Sequence, residues 1–295
     1  VYNFALPPLV LYTFYSQDAT VISKWTESLK AVSNTSTFFN ILDTHDGVGV
    51  MGVKGILPQP EIDFLIRQAQ AHGALISYKS TELGEEPYEI NTTWWSAINR
   101  SGSDEDMRLQ VKRYVASRSL ALVLKGVPGI YTHGALAIPN DHAMAERTGV
   151  KRDINRSVID PDSLVAQLRD PGSKRSQLRR MLRRVALNRT RNRAFHPQGQ
   201  QRVLSFSPSV FSVLRISPEG QQRILTMTNV TNKTTRILVS LEELGVSESL
   251  WRDLIGGREQ IAQQGCLSID LKPYDVIWLT PASQSQVIQE LAGTS

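Results

Sequence analysis

The nine residues from Phe39 to Gly47 constrain this chain more than any other segment of its sequence. A short apolar run ends in two adjacent polar residues, His45 and Asp46, and a glycine follows them. A strand that delivers polar side chains to a glycine turn is typical of the mouth of a (β/α)8 barrel. Such a pair can hold a sugar by its hydroxyls and place a carboxylate beside a developing positive charge. An ordinary strand end with a capped turn is the alternative.

The first two thirds of the sequence alternate between predicted helices and predicted strands. Helices are predicted over Phe14–Val32, Pro60–His72, Asp106–Leu124, Ser163–Arg169 and Lys174–Arg189. Strands are predicted over Phe38–Leu42, Ala74–Tyr78 and Val127–Tyr131. Because a closed barrel needs eight strands and roughly 250 residues, this pattern predicts only the later part of a barrel.

The pattern changes near residue 194, where short β-type runs separated by turns begin. The predicted strands are Val203–Phe206, Val210–Ile216, Gln222–Asn229, Thr234–Ser240, Trp251–Leu254, Cys266–Leu271 and Asp275–Leu279. The predicted fold class is therefore α/β. Residues 1–193 form the C-terminal part of a (β/α)8 barrel, residues 194–283 a small antiparallel β-sheet domain, and residues 284–295 a polar tail.

Composition and charge exclude several classes of protein. The single cysteine, Cys266, rules out an internal disulfide and fits a reducing, cytoplasmic compartment. No apolar run reaches the roughly 18 residues that would span a membrane, and no signal peptide is visible. The net charge of +5 is concentrated in residues 174–193. We interpret these charges as a solvated helix face, because no aromatic residues interleave with them as nucleic-acid binding would require.

Metal and nucleotide sites are not predicted either. The five histidines have no ligand spacing, and a single cysteine cannot build a zinc site. No glycine-rich nucleotide loop is present. The chain begins at Val1 rather than Met, which suggests a fragment or a processed product.

Five blocks in order carry a resemblance to a known family. They are Tyr2–Leu9, Leu42–Asp46, Tyr88–Asn91, Gly126–Tyr131 and Arg152–Arg156. The sequence resembles the α-amylase superfamily of glycoside hydrolases and transglycosidases. The form Leu-Asp-Thr-His-Asp-Gly is most similar to the sucrose phosphorylase branch, and the resemblance runs from Val1 to about Pro281.

The resemblance implies roles for the central pair and for residues that are absent. Asp46 would be the third catalytic carboxylate, which stabilises the oxocarbenium-like transition state, and His45 would bind glucosyl hydroxyls. The nucleophilic aspartate and the acid/base glutamate lie on earlier strands of the family. No block in residues 1–38 matches either of them, so this chain is expected to lack both.

The remaining candidates are substrate-binding residues. Residues 84–87 are predicted to be a polar, turn-rich loop. The resemblance assigns Tyr88 and Glu89, which follow them, to a loop that covers the sugar, and Arg152 to one end of the glucosyl ring, with Arg156 beside it. His133 is a further candidate at a strand end. Asp141 is another, on the acceptor side of the site. The alternatives are a surface acidic loop, a salt-bridged charged loop and a packed histidine.

One departure from the family bears on the substrate. Sucrose phosphorylases generally have glutamine where this chain has Glu89, which puts sucrose in doubt. It favours relatives that act on glucosylglycerate, glucosylglycerol or phosphorylated sucrose.

Three functional hypotheses follow. The first is a retaining α-glucosyl phosphorylase that uses inorganic phosphate as co-substrate, needs no cofactor and releases α-glucose 1-phosphate. The second is a hydrolase or glucanotransferase of the same superfamily. The third is a catalytically inactive fragment, whose partner would be the missing part of the barrel or a second copy of the chain.

Overall fold

The computed structural model describes residues 1–30, 33, 35–82 and 84–282. The predicted polar tail at 284–295 lies outside the described residues. The α-helices are α1 Leu6–Ser16, α2 Thr20–Ser28, α3 Gln59–Ala71, α4 Trp94–Ile98, α5 Met107–Val123, α6 Thr132–Ala135, α7 His142–Thr148, α8 Pro161–Arg169, α9 Lys174–Arg191 and α10 Leu241–Leu244. Short 3-10 helices cover Met51–Val53, Lys151–Asn155 and Arg193–Phe195.

The strands divide into a barrel part and a C-terminal part. The former has β1 Phe39–Asn40, β2 Val48–Gly49, β3 Leu75–Thr81, β4 Gly84–Asn91 and β5 Val127–Pro128. The latter has β6 Gln200–Ser207, β7 Val210–Ile216, β8 Arg223–Asn229, β9 Thr235–Ser240, β10 Leu250–Asp253, β11 Glu259–Ile261, β12 Cys266–Leu271 and β13 Val276–Pro281.

Three parallel strand segments form the wall on which the site is built. β1 pairs with β5 in parallel, with Phe39 opposite Val127, and Tyr2 makes a parallel bridge to Phe39 on the other side. Helices α1 and α2 connect the first segment to the second, and α3 to α5 precede the third. This is the arrangement of consecutive strands and helices in a (β/α)8 barrel, with the described residues supplying strands β1 and β5 and the bridge at Tyr2.

The predicted single helix over Phe14–Val32 is wrong for the described residues, and its last two residues, 31 and 32, lie outside them. The chain instead forms α1, whose first turn contains Pro7 and Pro8, and then α2. Proline is tolerated in the first turn because the N–H that it lacks has no helical acceptor there. The break falls at Gln17, which takes a left-handed conformation with φ 56°, and the Asp18 side chain then accepts the Thr20 N–H at 2.7 Å.

The segment at residues 84–87 was predicted to be a polar loop, and this prediction is wrong. It forms the first half of β4. This strand pairs antiparallel with β3, with Thr81 opposite Gly84 at one end and Leu75 opposite Asn91 at the other. The charged residues fit a strand because Glu86 contacts Lys54 and Lys79. β2 pairs with the far end of β4 and completes a three-stranded antiparallel sheet beside the barrel wall.

The C-terminal region is an antiparallel β structure, as predicted. Six strands form a sheet in the order β11-β10-β13-β8-β7-β6, and β9 pairs with β12 separately. A buried cluster that includes Leu225, Ile237, Trp251 and Ile269 joins the two layers. β11 was not predicted, because it is three residues long and reads Glu-Gln-Ile.

Two buried arginines lie near the end of α5, and one of them, Arg215, connects this β structure to the barrel part. Arg189 of α9 donates to the carbonyls of Leu122 and Gly126 at 2.6 and 2.7 Å, and Arg215 of β7 donates to the Val123 carbonyl at 2.8 Å. The Leu122 and Val123 carbonyls lie at the end of α5, where a helix leaves acceptors unpaired, and these side chains satisfy them. Burial lowers the pKa of Arg189 to about 10 and that of Arg215 to about 9. The domain boundary at residue 193 stays a prediction.

Candidate functional site

The segment that follows β1 is anchored at its base by a buried ion pair. Asp43 accepts two hydrogen bonds from Arg118 of α5, at 2.7 and 2.5 Å, and both side chains are 2% exposed. Burial alone would lower the pKa of Arg118, but Asp43 and Tyr114 raise it above its usual value. The Tyr114 hydroxyl accepts from Arg118 and donates to the Gly134 carbonyl, each at 2.7 Å. The pair therefore ties the strand end to α5 and α6.

Backbone contacts fix the rest of this segment. The Asp46 N–H donates to the Thr44 hydroxyl at 3.1 Å, and Asn155 donates to the Thr44 carbonyl at 2.6 Å. Gly47 has φ 125°, and a Cβ there would lie 2.4 Å from the Ile90 carbonyl oxygen. Only glycine therefore allows the chain to turn against β4 at this point.

An open pocket of about 600 Å³ lies beside this segment. Its polar wall contains Asp43, His45, Asp46 and Glu89. Its apolar wall contains Tyr2, Phe4, Pro7, Phe39, Ile41, Leu42, Ile130 and Tyr131. Carboxylate and imidazole groups that line one pocket with aromatic rings form a surface on which a sugar can hydrogen-bond with its hydroxyls and pack with its ring face.

Two arginines from the 150s segment hold the Asp46 carboxylate. Arg156 Nη2 donates to Asp46 Oδ1 at 2.9 Å, and Arg152 Nη1 lies 3.5 Å from the same oxygen. His45 Nε2 is 3.3 Å from that oxygen, and the histidine side chain is 63% exposed. Arg156 Nε also donates to the His45 carbonyl at 3.1 Å. The predicted pair His45–Asp46 and the predicted arginines thus meet at one point.

Glu89 is the second carboxylate of this network. Arg152 binds it with two hydrogen bonds, Nε to Oε2 at 2.8 Å and Nη2 to Oε1 at 3.0 Å. The hydrogen bond from Arg152 to Glu89 is the largest of the effects that raise the pKa of the guanidinium. Since Arg152 contacts both Glu89 and Asp46, one guanidinium bridges the two carboxylates.

Asn91 links the Glu89 side chain to the backbone of Asp46, and no role was predicted for it from the sequence. Its Nδ2 donates to Glu89 Oε2 at 2.7 Å and to the Asp46 carbonyl at 3.0 Å. The Ser77 hydroxyl donates to Asn91 Oδ1 at 2.6 Å and fixes the orientation of the amide. The strand period of two, which places Glu89 and Asn91 on one face of β4, was the signal that could have revealed this contact.

Besides Arg152 and Arg156, three predicted site residues lie outside the described lining of this pocket. Tyr88 precedes Glu89 on β4, and its carbonyl accepts the Val50 N–H at 2.8 Å. His133 lies in α6, where its ring stacks on Tyr131 at 4.9 Å and its Nε2 is 2.9 Å from the Ser157 carbonyl oxygen.

Asp141 caps α7 by accepting the Met144 N–H at 2.9 Å. It lines a separate cavity of about 460 Å³ together with His142 and Arg175. The structure therefore brings His45, Asp46, Glu89, Arg152 and Arg156 together, and it gives Tyr88, His133 and Asp141 other contacts.

Nothing in the described part of the chain forms a group of three or more His, Cys, Asp or Glu side chains suited to a metal ion. Among the described helices, none has the length and apolarity needed to cross a bilayer.

Comparisons with known proteins bear on the family. No protein-family model matches the sequence. A glucosylglycerate phosphorylase of Spirochaeta thermophila is 37% identical over 286 residues, which are 95% of this chain and 48% of that protein. A glucosylglycerate phosphorylase of Escherichia coli is 30% identical over 280 residues, again 95% and 48%. The chain is a homologue of these phosphorylases.

The resemblance to the sucrose phosphorylase-like branch of the α-amylase superfamily is thus confirmed. A sucrose phosphorylase of Bifidobacterium adolescentis is 31% identical over 185 residues, which are 58% of this chain and 34% of that protein. The chain spans about half the length of the glucosylglycerate phosphorylases that it matches.

Solved structures confirm the predicted fold class. The sucrose 6F-phosphate phosphorylase of Thermoanaerobacter thermosaccharolyticum superposes with a TM-score of 0.64 at 21% identity, over 78% of this chain and 43% of that one. AmyP in complex with maltose gives a TM-score of 0.66 at 12% identity, over 96% and 50%. The chain has the fold of the C-terminal part of an α-amylase-type barrel and the β domain that follows it.

Proposed function

We propose that the pocket beside Asp46 is the downstream wall of the glucosyl site of a retaining α-glucosyl phosphorylase. Such an enzyme uses inorganic phosphate to open an α-glucoside by double displacement, and it releases α-glucose 1-phosphate and the acceptor. The observation that carries this proposal is that His45 and Asp46, the polar pair of a family block, line one pocket with Glu89. The homology to glucosylglycerate phosphorylases over 95% of the chain supports it.

Asp46 would act as the stabilising carboxylate of this site. A carboxylate held in a fixed position lowers the energy of an oxocarbenium-like transition state, since the charge that develops there meets a group that needs no reorganisation. Arg156 provides the fixed position through its contact with Oδ1. His45, which is largely exposed, would donate to or accept from the sugar hydroxyls.

The nucleophile and the acid/base group would come from outside these 295 residues. Retention requires two carboxyl groups about 5–5.5 Å apart, one free to attack and one free to exchange a proton. The other carboxylates of the pocket are engaged, Asp43 by Arg118 and Glu89 by Arg152. They are therefore poor candidates for either role.

The open sheet supports the same interpretation. Tyr2 is 59% exposed at one edge of the parallel wall, and Val127 is 43% exposed at the other. Unpaired strand edges tend to pair with further strands. We propose that the rest of a barrel completes this wall, and a second copy of the chain is the alternative partner.

A glucoside with a small polar acceptor is the proposed substrate. Glu89 stands where sucrose phosphorylases generally have glutamine, and the relatives matched over 95% of the chain are named glucosylglycerate phosphorylases. Glucosylglycerate is therefore proposed ahead of sucrose, glucosylglycerol and phosphorylated sucrose. A hydrolase or glucanotransferase remains the alternative, and its support is the shared fold alone.

Two further parts of the proposal rest on chemistry and composition. Phosphate is the co-substrate and no cofactor is required, because glucosyl transfer between oxygens needs only acids, bases and a nucleophile. A cytoplasmic location is proposed from the single, exposed cysteine, which fits a reducing compartment.

The test is the formation of α-glucose 1-phosphate from the four glucosides, with and without inorganic phosphate, by a form of the protein that contains a complete barrel. Phosphate-dependent product is expected, with glucosylglycerate preferred. Asp46→Asn should remove nearly all activity, whereas the exposed Asp104→Asn should not. Glucose release that is independent of phosphate would favour the hydrolase, and full activity of a folded Asp46→Asn variant would contradict the role of Asp46.

A further inference from the structure

A further cleft shares no lining residue with the Asp46 pocket. It has a volume of about 640 Å³ and lies between helices α5 and α9 on one side and the C-terminal sheet on the other. Six of the side chains that line it are cationic. They are Arg108, Lys112, Arg180, Arg184, Arg258 and Lys272.

The carboxylates of this cleft are already bound to other groups. Asp275 pairs with Lys112 at 2.6 Å, and Asp270 forms two hydrogen bonds with Arg236 at 2.7 and 3.1 Å. Asp253 accepts three backbone N–H groups at distances of 2.8 to 3.1 Å. These carboxylates therefore leave most of the cations of the cleft without a counter-charge.

The remaining cations are available to a ligand. Within the described residues, the side chains of Arg108, Arg180, Arg258 and Lys272 make no hydrogen bond or ion pair. Several like charges around a concave surface raise the local concentration of anions. Guanidinium groups also present paired donors that match phosphate oxygens.

The floor of the cleft is apolar. Val115 and Val185 are buried there, and Met181 and Ile277 are half-buried beside them. A ring or hydrocarbon portion of a ligand could pack on this floor while an anionic group meets the arginines at the rim. The combination is unlike a uniformly charged surface, which would attract anions without a place for the rest of the molecule.

We propose that this cleft binds an organic phosphate, a small molecule with a doubly charged phosphoryl group on an apolar ring or chain. The ligand would contact α9 through Arg180 and the C-terminal sheet through Arg258, so its binding would stabilise the junction of the two parts. The proposal is independent of the function assigned to the Asp46 pocket.

The test is isothermal titration calorimetry of the 295-residue chain with phenyl phosphate as the probe. One saturable site is expected. The paired change Arg180→Gln and Arg258→Gln should weaken binding at least about tenfold, because each removes a charged donor to the phosphate. A second pair, Arg108→Gln with Lys272→Gln, should cause a comparable loss.

The matched control is Arg179→Gln with Arg183→Gln. These residues lie on exposed positions of the same helix outside the cleft, and their removal changes the net charge by the same amount. The affinity of this control variant should stay within about twofold of that of the parent chain, because exposed charges that do not line the cleft contribute little. The proposal is overturned by an absence of saturable binding, by equal weakening in the cleft and control pairs, or by full affinity in both cleft pairs.

Discussion

The buried pair between Asp43 and Arg118 allows a quantitative prediction about the support of the candidate site. Replacing Arg118 with methionine retains much of the apolar stem of the side chain and removes its charge. The Asp43 carboxylate would then be left 2% exposed without the two hydrogen bonds that it accepts at 2.7 and 2.5 Å. The Tyr114 hydroxyl would also lose the guanidinium that donates to it.

The expected cost is large relative to the stability of a domain. Removing one partner of a buried ion pair costs about 3–5 kcal/mol, because a desolvated charge is left uncompensated. The total free energy of unfolding of a natural domain is about 5–15 kcal/mol. Arg118→Met is therefore expected to lose about a fifth or more of the stability. The double variant Asp43→Asn, Arg118→Met should lose less than the sum of the two single variants, since it leaves no buried charge.

Urea denaturation followed by tryptophan fluorescence measures these free energies. The control is Arg236→Met, which removes an arginine from an exposed pair with Asp270 and should not move the midpoint measurably. The reasoning is refuted if Arg118→Met is as stable as the control, or if the effects of the Asp43 and Arg118 changes simply add.

Three further predictions concern the surroundings of the site. Asn91→Ala should lower the free energy of unfolding by about 1–3 kcal/mol in urea, because Glu89 loses a buried donor; an unchanged midpoint would contradict this. Gly47→Ala should lower the free energy of unfolding by about 2 kcal/mol or more in the same assay, because its Cβ would meet a backbone oxygen at 2.4 Å. The control Gly49→Ala has open space around it and should lower this free energy much less. Equal losses in the two variants would refute the steric argument. Burial and, to a smaller extent, the charge of Arg175 lower the pKa of Lys174 from 10.5 to about 8. Between these two pH values the folded state binds fewer protons than the unfolded state, so the free energy of unfolding should rise with pH. The stability difference between the parent chain and Lys174→Met, measured from pH 7 to 10, should therefore grow in favour of the parent by roughly 1–3 kcal/mol, and a flat difference would contradict the shift.

Local signals were enough to predict the elements that present the site. The helix over residues 107–123 was predicted from its apolar positions and is capped by Asp106, which accepts the Arg108 N–H at 2.7 Å. Proline at the start and glycine after the end located α3. The strand end with His45 and Asp46 was predicted because apolar run, polar pair and glycine lie within nine residues.

The contacts that organise the site could not be predicted, because they join distant parts of the chain. Arg118 and Asp43 are 75 residues apart, and Arg152 and Glu89 are 63 residues apart. Segment 84–87 was mistaken for a loop because the groups that match its charges are not its neighbours in the sequence. They lie across the hairpin and at Lys54, which precedes the segment by 30 residues or more. Family resemblance supplied the roles of individual residues, but the bridge that Arg152 makes between two carboxylates required the structure.

The most direct test of the central claim is the formation of α-glucose 1-phosphate from glucosylglycerate and inorganic phosphate by two proteins measured side by side. One is the 295-residue chain alone. The other is the same chain preceded by the part of the Spirochaeta thermophila phosphorylase that lies upstream of the matched region. We expect no turnover above background for the first protein and, for the second, turnover that Asp46→Asn abolishes. Robust phosphate-dependent turnover by the 295-residue chain alone would contradict it.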